Sequence, residues 1–276
     1  MSGFSDIAMT ILKWILIVVA LGYVGGLAAM FFLQRAILFP IPSSERIAPA
    51  AAGFPDVEEH VLTTADGEKI IVWHMPAKPG RPVILYFHGN GDYLAGFFAR
   101  FRDFIADGTG VVAPAYRGYC GSSGEPSEQG ILRDAEAAWA FTSARYQADR
   151  IVVWGFSLGS GAAVALAAEH PIQKLILEAP YSSITDIAAS AFPIFPVRWL
   201  LKDPFRSDLR IARVKARLLV MHGARDPTIP IAFGERLFAL ANEPKQFVRF
   251  ADGGHNDLDY FGASAVARRF IGASGG

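Results

Sequence analysis

Cysteine is almost missing from this sequence: Cys120 is the only one in 276 residues. One thiol cannot close an intrachain disulfide, and it cannot build a zinc cluster. Metal-ligand spacing is missing too. The six histidines, His60, His74, His88, His170, His222 and His255, form neither HExxH nor HxxxH, so no metal is expected. Excess charge of one sign is also lacking, with 26 basic and 26 acidic residues and no basic stripe. Nucleic acid is therefore not an expected partner. Low-complexity tracts and internal repeats are absent, which removes solenoids and arrays. "HGNGD" has no third glycine at the dinucleotide offset and no Walker lysine follows either glycine-rich turn, so no cofactor is expected. What is abundant is apolar residue: 52% of the chain. That suffices for one large α/β domain with its own core.

Residues 14–33, "WILIVVALGYVGGLAAMFFL", carry no charge. As a helix they would be about 30 Å long, the thickness of a bilayer's hydrocarbon core. Lys13 and Arg35 bracket the run, and Trp14, Phe31 and Phe32 sit near its ends. A cleaved signal peptide has a shorter apolar region and a small-residue cleavage site, whereas "GGLAAMFFL" stays apolar past its small residues. Residues 1–35 are therefore expected to be a single-pass transmembrane anchor. Basic residues on both flanks leave the orientation open. Residues 36–56, rich in Pro, Ala and Ser, read as a linker.

From residue 57 the pattern changes. Two strand-like runs flank "ADGE", a hairpin signal. Apolar β-runs then alternate with helical patterns: strands near 82–89, 110–116, 150–156, 174–180, 216–223 and 245–250, helices near 93–106, 129–147, 158–169, 231–241 and 257–271. Continuous apolar strands between amphipathic helices predict a mostly parallel sheet of roughly eight strands, covered on both faces. The long, Phe- and Pro-rich segment 181–211 breaks the alternation and is expected to be a small cap.

The chemistry-bearing stretch is "RIVVWGFSLGSGAAVALAAE". A strand runs into a helix through Gly155, Ser157 and Gly159. At such a sharp turn the apex residue is strained and its side chain projects clear of the sheet, while the glycines let the two arms approach. The same GxSxG pattern occurs at 272–276, "GASGG", but with no strand before it and no helix after it. A serine hydroxyl needs a base, and the base needs a carboxylate to orient it. In doubly wound sheets such groups gather beyond the carboxyl ends of strands. His255 in "FADGGHND" and Asp226 in "MHGARDPTIP" occupy such places, in the chain order Ser, Asp, His. Glu178 is the competing acid, and His222 is expected to be structural. The backbone N–H of Leu158, opening the helix, is expected to donate to an oxyanion. Asn90 in "FHGNGD" is the expected second donor, with Gly91 next, and His88 is expected to brace that loop.

The blocks "YFHGNGD", "YRGYCGSSGEPSEQG", "GFSLGSGAAV", "EAPYSSITDIA", "HGARDPTIP" and "GGHND" together resemble the α/β-hydrolase fold superfamily. The resemblance covers residues 57–272. Within it they are similar to the membrane-tethered Bem46-like group, to the ABHD13- and ABHD17-like hydrolases and to bacterial S33-type serine hydrolases. The resemblance implies Ser157 as nucleophile, Asp226 as acid, His255 as base, and Asn90 and Leu158 as oxyanion donors. That group usually carries glycine where Cys120 stands, so a positive φ there would strain the loop.

The expected function is a membrane-anchored serine hydrolase that cleaves carboxylic esters or thioesters of acyl, lipid-like substrates through an acyl-enzyme. The substrate is a small molecule or an acylated protein. Two alternatives stay open: a non-catalytic membrane-bound binding protein of the same fold, and an S33-type peptidase. Phe156, Tyr93, Phe97, Phe192, Phe195 and Trp199 are either acyl-pocket aromatics or core.

Overall fold

The computed structural model of the chain describes residues 2–41 and 46–272. The second GxSxG pattern, with its Ser274, lies outside them. An eight-stranded sheet forms the centre, in the order β1-β2-β4-β3-β5-β6-β7-β8. Strands β1 (Glu58–Thr63) and β2 (Lys69–Met75) make the expected hairpin, and β2 pairs antiparallel with β4 (Gly110–Pro114). Strands β3 (Val83–Phe87), β5 (Ile151–Phe156), β6 (Lys174–Glu178), β7 (Arg217–Gly223) and β8 (Lys245–Phe250) continue the sheet in parallel.

Every residue of β3, β4 and β5 is buried. Helices on both faces remove water from both sides of these strands, which is why they read as unbroken apolar runs rather than alternating ones. The outer strand β1 has only exposed and half-buried positions, as an edge strand does. The chain winds from β3 to β4 in one direction and from β5 onward in the other. The sheet's switch point therefore falls between β3 and β5, where open α/β sheets form their crevice.

Helices α2 (Leu94–Arg100) and α3 (Arg102–Ala106) follow β3, α4 (Glu128–Ser143) follows β4 and α5 (Leu158–Glu169) follows β5. The segment 181–211, the expected cap, holds α6 (Ile184–Ala191) and α7 (Val197–Leu200), and α8 (Ile231–Leu240) and α9 (Ala263–Gly272) follow it. Ser127 caps α4 by accepting from the Gly130 amide at 3.1 Å, and Ser183 caps α6 by accepting from Asp186 at 3.0 Å. Both satisfy amides that a helix start leaves unpaired.

The N-terminal helix α1 runs from Ser2 to Leu38, about 55 Å at the usual rise. It is long and apolar enough to cross a membrane, and no residue of its apolar window is fully buried. The helix passes Arg35 and enters the segment read as linker. The Arg35 guanidinium donates to Asp203 in the cap at 2.7 and 3.2 Å. Beyond the helix, Phe39 and Phe54 bury themselves in the domain core.

Candidate active site

Strand β5 ends at Phe156 and α5 begins at Leu158, so Ser157 alone makes the turn, at φ 50° and ψ −118°. The two glycines have a measurable reason. A Cβ on Gly155 would lie 2.5 Å from the Gly159 carbonyl oxygen, and one on Gly159 would lie 2.1 Å from that of Phe87. Both distances are impossible for real side chains, so strand and helix could not approach this closely without them. Hydrogen bonds over-determine the strained residue. Ser157 N–H donates to the Glu178 carbonyl at 2.9 Å, and the Ser157 carbonyl accepts from the Ser160 amide at 2.9 Å and its hydroxyl at 2.6 Å. Strain of this kind costs about 1–3 kcal/mol and persists only under such support.

The loop after β8 brings His255 to the serine: Nε2 lies 3.0 Å from Ser157 Oγ. On its other side Nδ1 lies 2.7 Å from Asp226 Oδ2, in the loop after β7. Asp226 is held in turn by the amides of Thr228 and Ile229, which both donate to Oδ1 at 2.8 Å. Burial alone pushes the Asp226 carboxyl up. Hydrogen bonds from His222, His255 and the Ile229 amide outweigh burial and hold it well below the usual carboxylate range. An ionised Asp226 keeps the His255 proton on Nδ1 and leaves Nε2 free to accept from the serine hydroxyl.

The other titratable groups have structural partners. His222 is fully buried and donates from Nε2 to the Ile229 carbonyl at 2.8 Å. Glu178, the competing acid, accepts from Arg100 Nη2 on both oxygens at 2.7 Å and from Trp154 Nε1 at 3.1 Å. Its side chain is committed to Arg100, while its backbone supports the elbow. Asp257 accepts from the Gly254 amide at 2.6 Å and shapes the histidine loop.

Across the switch point, β3 leads into the turn of His88, Gly89, Asn90 and Gly91. His88 is buried, donates from Nδ1 to the Gly89 carbonyl at 2.8 Å, and receives the Tyr116 amide at Nε2 at 3.4 Å. Burial pushes its pKa down to about 4, so at neutral pH it is an uncharged brace. The Gly89 amide is already taken by Asp92 Oδ2 at 3.0 Å. The next amide of the turn is that of Asn90, the expected second oxyanion donor. Asp92, a positioning residue outside the serine, acid and histidine motifs, is marked in the sequence as the acid three residues after Gly89 in "GNGD". Leu158 is the first residue of α5, where a helix start has amides without intrahelical acceptors and a positive dipole end.

The "YRGYCGSSG" block serves the scaffold. Arg117 bridges buried Asp134 on α4, at 2.8 Å, and Asp66 in the β1–β2 turn, also at 2.8 Å. Cys120 has φ 50°, the left-handed conformation that the usual glycine would take without strain.

Asn90 also lines a cavity of about 360 Å³ between α1 and the cap, otherwise walled almost wholly by apolar side chains. Among the expected pocket aromatics only Phe192 reaches it. Phe97 and Phe156 line a smaller cavity with Arg100 and Glu178, and Phe156 packs its ring 5.2 Å from that of His255. Phe195 stacks on Tyr23 of α1 at 5.3 Å. Trp199 is 89% exposed.

Three possible metal donors meet away from the serine, on the outer hairpin. Glu58, His60 and His74 bring ligand atoms within 4.8 Å of one another. Sequence spacing could not show this, because His74 reaches Glu58 by cross-strand pairing. The three already bond among themselves, at 2.9 Å for His60 to Glu58 and 3.2 Å for His74 to Glu58.

A family model described as serine aminopeptidase, S33, matches residues 78–207. An uncharacterised protein of Mycobacterium tuberculosis is 35% identical over 261 residues, covering 92% of each chain. The α/β hydrolase domain-containing protein WAV2 of Arabidopsis thaliana is 30% identical, covering 85% of each chain. The lysophosphatidylserine lipase ABHD12 of Gallus gallus is 32% identical over 65% of this chain and 53% of its own length. Among solved structures, an esterase of Pyrococcus furiosus superposes with TM-score 0.67 at 19% identity, over 85% of this chain and all of its own. The turn at Ser157, the sheet order and these likenesses agree: the chain belongs to the α/β-hydrolase superfamily.

Proposed function

We propose that the chain is a membrane-anchored serine hydrolase that cleaves carboxylic esters or thioesters of lipid-like acids. The observation that carries this reading is the continuous hydrogen-bonded line from Ser157 Oγ through the His255 imidazole to Asp226, at 3.0 and 2.7 Å. Ser157 Oγ attacks the acyl carbonyl, and His255 Nε2 takes its proton and gives it to the leaving alcohol or thiol. Asp226 orients the imidazole and stabilises its charged form. The amides of Leu158 and Asn90 hold the developing oxyanion, each contributing about 3–4 kcal/mol by comparison with donors of this kind. Water activated by the same histidine then releases the acid from the acyl-enzyme.

Residues 57–272 are the hydrolase domain in this reading, with the cap at 181–211, and α1 is the anchor. The apolar cavity beside Asn90 and the lysophosphatidylserine lipase among the relatives support an acyl substrate over a short polar one. A fluorophosphonate probe tests the chemistry. The wild type is expected to be labelled at position 157, and Ser157→Ala to stay unlabelled. A folded wild type that takes no label, or equal labelling of the variant, overturns it.

A further inference from the structure

Helix α1 does more than lie beside the domain. Its second half is seated on the cap at several heights. Tyr23 stacks on Phe195 at 5.3 Å and donates to the Ile194 carbonyl at 3.1 Å. The Lys202 ammonium sits 4.1 Å from the centre of the Phe31 ring. Gln34 donates to the Leu200 carbonyl at 3.1 Å and accepts from the Lys202 amide at 2.7 Å, and one residue later Arg35 grips Asp203.

These contacts sort by polarity along the helix. Charge gathers at the level of Phe31 to Arg35. The apolar tip of the cap meets the helix at Tyr23, about 12 Å further along at 1.5 Å per residue. Tyr23 lies in the middle of the charge-free run 14–33. Ile194 at that tip is 72% exposed and Trp199 on α7 is 89% exposed. If the charge-free run crosses the bilayer, the cap tip lies at hydrocarbon depth and Lys202, Arg35 and Asp203 mark the interface. Apolar side chains exposed to water at such a place are unfavourable, whereas exposed to lipid they are not.

The cavity lies beside α1 from Ala29 to Leu38. One wall is α1, through Ala29, Leu33 and Ile37; the other is α6, through Ile187, Ala188 and Ala191. Ala29 and Leu33 belong to the charge-free run, and at the other end the cavity reaches Asn90. The volume is about 360 Å³. A methylene fills about the same space as a water molecule's ~30 Å³ share of liquid, so about a dozen carbons fit.

We propose that this cavity binds the acyl chain of the substrate, and that the chain enters it sideways from the leaflet around α1. The anchor helix is then one wall of the specificity site. This deepens the serine-hydrolase reading and rests on it. It names the substrate class as esters or thioesters of long unbranched acids resident in a bilayer, with the carbonyl delivered to Ser157 beside Asn90.

The test uses the full chain in lipid nanodiscs, with a series of p-nitrophenyl esters from acetyl to palmitoyl. Ala188→Phe fills the cavity from the cap and Ala29→Phe fills it from the helix. Each is expected to lower the ratio of long-chain to acetyl kcat/KM by about tenfold to a hundredfold, the effect of two or three lost methylene contacts. A ratio unchanged in both variants overturns the proposal. A second readout is independent of turnover. Ser157→Ala is photolysed in nanodiscs carrying a palmitoyl ester with a diazirine near its chain end. Cross-links are expected on peptides of both α1 (residues 29–38) and α6. Absence of the α1 cross-link overturns the proposal even if fluorophosphonate labelling succeeds. Failure of that labelling instead removes the serine chemistry, while the cross-link still reports where the chain sits.

Discussion

The two flanks of the crevice are held together by different physics. On the flank of β5, β7 and β8, the side chains are fixed by directed hydrogen bonds. Asp226 accepts two amides and an imidazole, and Ser157 is bonded through both its N–H and its carbonyl. On the flank of α1 and the cap, contact is mostly apolar, with Gln34 and Arg35 as polar pins. Hydrogen bonds lose their value within fractions of an ångström and tens of degrees. Apolar contact is non-directional and scales with area. In the proposed function, the first flank therefore sets where a bond breaks, and the second sets how much acyl chain is accommodated. Backbone strain does not follow this division: among the described residues, Cys120, Ser157 and Ala179 have positive φ on loops leaving β4, β5 and β6, and Phe205 has it in the 181–211 segment.

Breaking the directed flank is expected to have the largest effect. Asp226→Asn keeps the shape but favours the wrong histidine tautomer, and kcat for an activated ester is expected to fall about 10⁴-fold. A fall of less than tenfold, with circular dichroism unchanged, would put the orienting charge elsewhere and erase the contrast.

The next effect is on stability. His88 has a folded-state pKa near 4, below the ~6.5 of an unfolded chain. Between these values the unfolded chain binds a proton that the native chain refuses, so stability falls as pH drops from about 6.5 to 4 and is fully retained above. The loss attributable to this one group reaches about 3 kcal/mol. Urea unfolding at pH 7 and at pH 4.5 should show a smaller pH-dependent loss in His88→Gln than in the wild type. Identical losses would mean that the brace is not buried as described.

The apolar flank should respond weakly to loss of a charge. The Arg35 side chain is 48% exposed, so solvent screens its pair with Asp203. Arg35→Gln is expected to cost about 1 kcal/mol or less, a shift of about 2–4 °C in melting temperature. A much larger drop would show that the seat of α1 rests on the ion pair. The smallest effect is a gain: Cys120→Gly relieves a positive φ and should stabilise the chain by about 0.5–1 kcal/mol. A loss instead would mean that the cysteine side chain contributes more than its backbone strain removes.

The directed flank was legible in the sequence because it is local. A strand, two glycines and a serine are contiguous at 150–159, and Asp226 and His255 each follow their own strand. Helix α5 begins and ends at Leu158 and Glu169, as the alanine-rich pattern predicted. The apolar flank was not legible, because Arg35 and Asp203 are 168 positions apart and nothing near either names the other. Periodicity carried part of the answer. Ile184, Ile187, Ala188 and Ala191 recur at i, i+3, i+4 and i+7, the face that α6 turns to the cavity. His74 and Glu58 show the same limit in a sheet, since cross-strand neighbours share no sequence signature.

The clamp made by Gln34 and the stack made by Tyr23 together fix the rotational setting of α1. Each inserted or deleted residue turns the remainder of a helix by about 100°. An indel between positions 23 and 34 would swing Tyr23 away from Phe195 while leaving the clamp in place. Upstream of Tyr23 the same change alters only length. If α1 crosses a bilayer as proposed, it can be lengthened or shortened upstream of Tyr23 to suit a different thickness, with its grip on the cap undisturbed.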